Sequence, residues 1–257
     1  MIKKLALIGA SGRMGRELLA ALEKFPLFQL EAALVSESSL SLGARCGVSA
    51  VNFEAYSPER LATADCVIDF SSPTLTPSIA EACGKRGIPL LIGTTGIDQS
   101  CREVINRAAQ NTAILLAPNT SIGVAALSEL ASLAQKILGP SFDVELSEIH
   151  HREKKDAPSG TAKVLADRLC SEGHLQNTFN REGTRSAQQL GITSLRGGEV
   201  FGEHTVYFFG NGERIELTHR AESRSIFAIG AFTLMQALLD RPVGIYQVVD
   251  LLIKTGV

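Results

Sequence analysis

Three features of the chain predict an α/β protein of two domains. Strand-like and helix-like segments alternate through the first half, a glycine-rich turn follows the first strand directly, and the second half carries runs of strand with no helix between them. Alternation implies parallel strands joined by crossover helices, with helices on both faces of the sheet. Consecutive strands favour hairpins, so the second sheet is expected to be mixed and largely antiparallel. The expected division is residues 1–120 with 231–257 for the parallel-sheet domain and 121–230 for an α+β domain.

Lys4–Ile8 reads as a short buried strand ending in glycine. Met14, Leu18, Leu22 and Phe25 recur at helical spacing until Pro26 stops the helix. Leu30–Val35, Cys66–Phe70, Pro89–Ile92 and Ala113–Leu116 are further strands, with helices at Ser78–Lys85 and Cys101–Ala109 between the later ones. Ser121-Ile122-Gly123 opens a long apolar helix that Gly139-Pro140 ends. Val144–Ile149 is strand-like, Thr161–Cys170 is helical, and Ser171–Gly191 is polar enough to be loop. Ile192–Leu195, His204–Phe209 and Arg214–His219 are strands, the last two joined through Gly210-Asn211-Gly212, a strong hairpin signal. Phe227–Leu239 and Tyr246–Ile253 return to helical spacing and should pack on the first domain.

A net charge of −2 argues against a nucleic-acid partner held by bulk positive charge, so any anion site must be a local patch. No run of about 18 apolar residues occurs, so no membrane partner is expected. The N-terminal apolar run is too short for a signal peptide. Cys46, Cys66, Cys83, Cys101 and Cys170 are scattered, odd in number and form no CxxC. They are expected to be buried, reduced thiols of a cytoplasmic protein, with no metal site.

The turn Gly9-Ala10-Ser11-Gly12-Arg13-Met14-Gly15 lies between a buried strand and a helix. Glycines at these positions permit a tight turn, close approach of backbone N–H groups to a pyrophosphate, and close helix–sheet packing. The positive end of the helix adds to anion affinity. The first domain is therefore expected to be Rossmann-like and dinucleotide-binding, with Gly9, Ala10, Ser11, Gly12, Arg13 and Met14 at the phosphates. Two later strand ends, Gly93-Thr94-Thr95 and Ala117-Pro118-Asn119-Thr120, should wall the same crevice. An acidic residue ending the second strand would bond the ribose 2′-OH of NADH; here Val35 stands there, followed by Ser36. Arg13 and Ser36 instead suit a 2′-phosphate, so NADPH is favoured over NADH.

The segment His150-His151-Arg152-Glu153-Lys154-Lys155 concentrates cationic groups in a chain of net charge −2, which points to an anionic ligand. Pro158-Ser159-Gly160-Thr161 then opens a helix, whose first-turn N–H groups at Gly160 and Thr161 make a carboxylate cradle. The histidines can move protons near neutral pH. Adjacent histidines cannot easily face one ion, and HExxH spacing is absent, so a metal centre is not expected. His174, His204 and His219 read as structural or surface residues.

The segment from His150 through Asp156-Ala157-Pro158-Ser159-Gly160-Thr161-Ala162 resembles the signature of the 4-hydroxy-tetrahydrodipicolinate reductase family. The glycine turn, Asp69-Phe70-Ser71, Gly93–Gly96 and Ala117–Ser121 resemble that family's cofactor loops, and Gly202–Thr205, Gly212–His219 and Ser223–Ala228 its sheet domain. The resemblance runs in order along nearly the whole chain. It implies NAD(P)H-dependent reduction of a small cyclic dicarboxylate, giving tetrahydrodipicolinate in the diaminopimelate and lysine pathway. It further implies His150 as proton donor and acceptor, Lys154 as a second proton donor, and His151, Gly160 and Thr161 as ligands of the substrate carboxylates. A cytoplasmic homotetramer joined through the second-domain sheet would follow. Val35-Ser36 departs from the family's usual acidic-then-basic pair, and Thr120 stands where some members carry an aromatic residue. A dehydrogenase of another small imino or amino acid, or a non-catalytic dinucleotide sensor, would share the glycine turn; the sensor would have no use for the histidine–lysine segment.

Overall fold

Leu5 and Leu7 belong to one buried cluster and Ala6 and Ile8 to another, so the first strand, β1 (Lys3–Ile8), is covered on both faces. That is why its apolar run is continuous rather than alternating. The computed structural model describes residues 1–47, 49–179 and 181–252. The chain divides into two compact units, Met1–Ser121 with Arg224–Val257, and Ile122–Ser223.

The first unit contains β1, α1 (Arg13–Ala21), β2 (Phe28–Val35), β3 (Phe53–Ala55), β4 (Cys66–Asp69), α2 (Thr76–Arg86), β5 (Leu90–Ile92), α3 (Gln99–Ala108) and β6 (Ala113–Leu116), and after the excursion α6 (Ser225–Leu238), β12 (Gly244–Tyr246) and α7 (Val248–Leu252). Its seven strands are parallel in the order β12-β6-β5-β4-β1-β2-β3. The order reverses at β1, which pairs with both β2 and β4. This is the topological switch point at which open α/β sheets hold ligands. Helices α1 and α6 supply one core, with Leu18, Phe232 and Met235; α2 and α3 supply the other, with Ile79, Cys83 and Ile105.

The second unit contains α4 (Ile122–Leu138), β7 (Asp143–His150), α5 (Gly160–Gly173), β8 (Gln176–Phe179), β9 (Gln189–Arg196), β10 (Glu203–Phe209) and β11 (Arg214–Arg220). Its sheet runs β11-β10-β7-β9-β8. Leu127 and Ala131 of α4 and Leu165 and Leu169 of α5 cover one face, against Val144, Leu146, Val206 and Phe208. The hairpin closes as its sequence requires, with Gly210 N–H donating to the Glu213 carbonyl at 2.9 Å and Gly212 at φ +84°.

Several expectations are corrected. The second sheet is mixed, but its pairings divide evenly: β10 is antiparallel to β7 and β11, while β9 is parallel to β7 and β8. The crossover through α5 returns the chain parallel to β7, as a helix between two strands normally does. The stretch 171–191 is not all loop, for it holds the end of α5, the edge strand β8 and the start of β9. Short β3 and β12 carry too few residues for a periodic signal, and β12 takes Tyr246 from the expected final helix. Ile253 of that helix lies outside the described residues. The expected return to the first domain at 230/231 falls inside α6, which packs on α1 as a whole, so the chain crosses back after Ser223. Cys66, Cys83 and Cys101 are buried, but Cys46 and Cys170 are half-exposed; all five are free thiols. The segment Ile122–Ser141 is long and apolar enough by composition to cross a membrane. Its Leu127 and Ala131 are nevertheless buried in the second unit's core, and its Ser128 and Glu129 both accept from Arg168.

Candidate active site

In the first unit the expected residues gather at the carboxyl ends of parallel strands. Gly9 to Gly12 follow β1, Arg13 and Met14 open α1, Ser36 follows β2, Gly93–Thr95 follow β5 and Ala117–Thr120 follow β6. The turn is held to the sheet by Gly9 and Ala10 N–H groups, which donate to the Leu34 carbonyl at 2.9 and 3.1 Å. Gly9 has φ +78°, and a Cβ there would strike the Phe70 carbonyl. A Cβ on Gly15 would strike the carbonyls of Gly9 and Ala10, and one on Gly12 would come within 3.1 Å of the Gly9 oxygen. No side chain caps the start of α1. The turn thus has the close backbone and uncapped helix start that a dinucleotide pyrophosphate needs.

Around this turn, Val35 is the last residue of β2 and is buried, while Ser36 and Glu37 are exposed. Hydroxyls collect beyond β2: Ser36 Oγ lies 3.3 Å from Ser38 Oγ, and Ser11 Oγ 3.2 Å from Ser39 Oγ. Thr120 is buried and donates its hydroxyl to the Phe227 carbonyl at 2.7 Å, so it fastens the end of β6 to α6. Asp69, ending β4, is fully buried and accepts from Ser71 N–H, the Ser71 hydroxyl and the Thr76 hydroxyl at 2.9, 2.5 and 2.8 Å. Burial raises its pKa in spite of those donors. It shapes the β4 loop, the Asp69-Phe70-Ser71 segment singled out in the sequence.

In the second unit the inward face of β7 reads Val144, Leu146, Glu148, His150, changing from apolar to polar toward its carboxyl end. His150 is 8% exposed, and its Nδ1 meets a carboxylate oxygen of fully buried Glu148. Arg196, the cross-strand partner of His150 on β9, grips the same carboxylate through Nη1 at 3.0 Å and Nη2 at 2.7 Å. Ser159, the N-cap of α5, donates its backbone N–H to Glu148 at 3.2 Å, and its hydroxyl accepts from Ala162 N–H at 3.1 Å. The Ser159 hydroxyl also lies 3.1 Å from Nε2 of His204, whose ring is 5.3 Å from that of His150.

Lys154 is half-buried and donates to Asp156 at 2.8 Å; His151 and Thr161 are half-buried, and Gly160 is the exposed first residue of α5. His150 and the start of α5 thus meet at Glu148 in one buried cluster, and Arg196 ties the loop carrying Lys154 to it through the Asp156 carbonyl. His204, expected to be structural or on the surface, is buried within it. His174 is exposed, in the left-handed conformation that ends α5. No cluster of metal ligands is present among the described residues.

Burial lowers the His150 pKa, while hydrogen bonding to Glu148 pulls the other way. Burial alone would raise the Glu148 pKa, but Arg196, Ser194 and His150 outweigh it and keep the carboxylate ionised. Burial, with His150 beside it, brings His204 down to about 4. Such a site combines a proton-exchanging imidazole, an ammonium and a helix start, which together suit an acidic substrate that must be protonated. Glu148 was legible in part, since a residue two before a histidine on a strand shares its face. Arg196 lies 46 positions beyond His150 and is brought there only by the parallel β7–β9 register.

Comparison with known proteins shows the family of the chain. The family described as "Dihydrodipicolinate reductase, N-terminus" matches residues 3–120, and "Dihydrodipicolinate reductase, C-terminus" matches residues 123–252. A 4-hydroxy-tetrahydrodipicolinate reductase of Syntrophotalea carbinolica is 40% identical over 262 residues, covering 97% of this chain and 98% of that one. One of Myxococcus xanthus is 42% identical over 259 residues, covering 95% of each. A dipicolinate-bound dihydrodipicolinate reductase from Paenisporosarcina sp. TG-14 superposes with a TM-score of 0.77 at 24% identity, over 96% of this chain and 98% of that one. With both halves matched and full-length relatives at this identity, the chain belongs to the dihydrodipicolinate reductase family, NAD(P)H-dependent oxidoreductases of diaminopimelate and lysine biosynthesis.

Proposed function

We propose that this chain reduces 4-hydroxy-tetrahydrodipicolinate to tetrahydrodipicolinate, the 4-hydroxyl leaving as water, with His150 as proton donor and acceptor and Lys154 as a second proton donor. The observation that supports these roles is the meeting of His150 and the α5 start at the buried Glu148 carboxylate, with the Lys154 loop tied to the same Arg196 guanidinium through the Asp156 carbonyl. The first turn of α5 at Gly160 and Thr161, with His151, binds the substrate carboxylates. A bound nicotinamide supplies the hydride.

His150 is held below its ordinary pKa in the free protein, chiefly by burial. A dianionic ligand beside it favours the imidazolium, so the donor takes up its proton as substrate binds. The ammonium of Lys154, once drawn from Asp156 to the substrate, adds a second donor.

The glycine turn from Gly9 to Met14, with Ser36, Gly93–Thr95 and Ala117–Thr120, holds the cofactor. NADPH is preferred, because Val35 lacks the carboxylate that would bond an unphosphorylated ribose, while Arg13 and the hydroxyls beyond β2 suit a phosphate. The missing bond is worth about 1.5–3 kcal/mol, or roughly tenfold to a hundredfold in NADH affinity. The protein works as a cytoplasmic homotetramer joined through the β7–β11 sheet, a setting in keeping with five free thiols.

An absorbance assay at the nicotinamide band, using enzymatically generated cyclic substrate, tests this. Oxidation should depend on that substrate and be more efficient with NADPH. No substrate-dependent oxidation with either cofactor would refute the activity, and equal efficiencies would refute the preference.

A further inference from the structure

Glu148 is fully buried yet charged, and it receives four hydrogen bonds from three different elements: His150 on its own strand, both terminal nitrogens of Arg196 on β9, and the N-cap backbone of α5. Arg196 Nη2 also donates to the Asp156 carbonyl at 2.7 Å, so the loop carrying Lys154 hangs from the same guanidinium. An ionised carboxylate only accepts hydrogen bonds. Its contact with Nδ1 of His150 therefore requires the proton on Nδ1, whether the ring is neutral or charged, and leaves Nε2 as the atom that gains and loses a proton. Nε2 faces Gly202, where a Cβ would come within 3.0 Å of it, so a side chain at that position would crowd the exchanging nitrogen.

We propose that Glu148, clamped by Arg196, is the positioning residue of this site: it fixes His150 in the Nδ1–H form with Nε2 toward the substrate, and it fastens the Gly160–Thr161 anion cradle to the same point. The proposal rests on the reading of His150 as proton donor and deepens it. A buried carboxylate without its guanidinium would be unpaired and would take up a proton, and a protonated Glu148 could no longer dictate the tautomer. Arg196 thus acts through Glu148, and Glu148 through His150.

The test uses the intact protein. Nitrogen-15 spectra of histidine-labelled wild type, with His150 assigned by its loss in His150→Gln, should show the Nδ1–H form of the neutral ring. Glu148→Gln should lower kcat roughly a hundredfold, in line with loss of a well-placed proton donor. The groups facing His150 are Glu148, Arg196, Lys154 and His204, with the Asp156 carboxylate also coupled to it. Of the two carboxylates Glu148 alone hydrogen-bonds the ring, so in Glu148→Gln the His150 limb of the kcat–pH profile should move to lower pH. A merely structural role would reduce the folded fraction without moving that midpoint. If Glu148→Gln does not fold, Glu148→Asp, which keeps charge but draws it back from Nδ1, should lower kcat while retaining cofactor binding.

Finding His150 as the Nε2–H form in wild type overturns the proposal irrespective of any variant. So does kcat within about threefold of wild type with an unmoved midpoint in whichever glutamate variant folds. Near-normal turnover in His150→Gln would instead bring down the underlying proton-donor reading, and the positioning role with it.

Discussion

At the scale of single residues, the site depends on how burial and charge set protonation. Replacing His150 by Gln, or Lys154 by Ala, removes a proton donor and should lower kcat by about 10²–10⁴-fold. Both residues lie in the unit opposite in sequence to the glycine turn, so the affinity for NADPH, measured by fluorescence titration, should be retained. His204 makes a separate prediction. Its pKa falls from 6.5 to about 4 on folding, so between those values the unfolded chain binds a proton that the folded chain refuses. Its contribution to stability is complete above pH 6.5 and is lost as pH falls toward 4, on the order of 3 kcal/mol in all. Denaturant unfolding across that range should show the decline, and His204→Gln should flatten it while being less stable at neutral pH.

Two elements carry the chemistry because of how they begin. The β1–α1 turn works by having no side chains where backbone meets backbone. Gly15→Ala would drive a methyl into the carbonyls of Gly9 and Ala10. Overpacking of this kind costs about 1–3 kcal/mol, and the same shift should weaken cofactor binding; a loss of stability with unchanged affinity would mean the turn is only structural. The start of α5 depends on Ser159, whose hydroxyl caps the helix and meets His204. Ser159→Ala removes a cap worth about 1 kcal/mol and strips a buried imidazole of a partner, a further 1–3 kcal/mol or so. Unfolding midpoints of wild type and variant would check the combined loss.

For the whole molecule, the second unit's sheet is covered by α4 and α5 on one face only. The other face carries Leu195, 50% exposed, and Phe209, 38% exposed, beside half-buried Ile149 and Tyr207. These form two apolar patches, Ile149 with Leu195 and Tyr207 with Phe209, at opposite ends of a face that carries Asp143, Glu145, Ser147 and Thr205 as well, and the proposed assembly would bury them against a second copy. The proposed tetramer makes this concrete: Leu195→Asp or Tyr207→Asp should reduce the solution mass, measured by light scattering, below that of four chains. Unchanged mass in both variants would place the assembly surface elsewhere.

The parts written in local order were legible from the chain alone. The alternation of strands and helices, the glycine turn, the Gly210–Gly212 hairpin and the helix start after Pro158 each rest on residues a few positions apart, where backbone preferences and side-chain periods act directly. His150, Lys154 and Gly160 could be proposed together because they lie within one segment. Short strands such as β3, β8 and β12 escaped because pairing with a neighbour, rather than their own composition, makes them strands. The even split of parallel and antiparallel pairs, the pairing of Arg196 with Glu148 and the burial of His204 beside His150 were decided only by tertiary structure. Strand register brings together residues far apart in sequence, and the energy of a buried charge depends on which partners arrive, which no local pattern encodes.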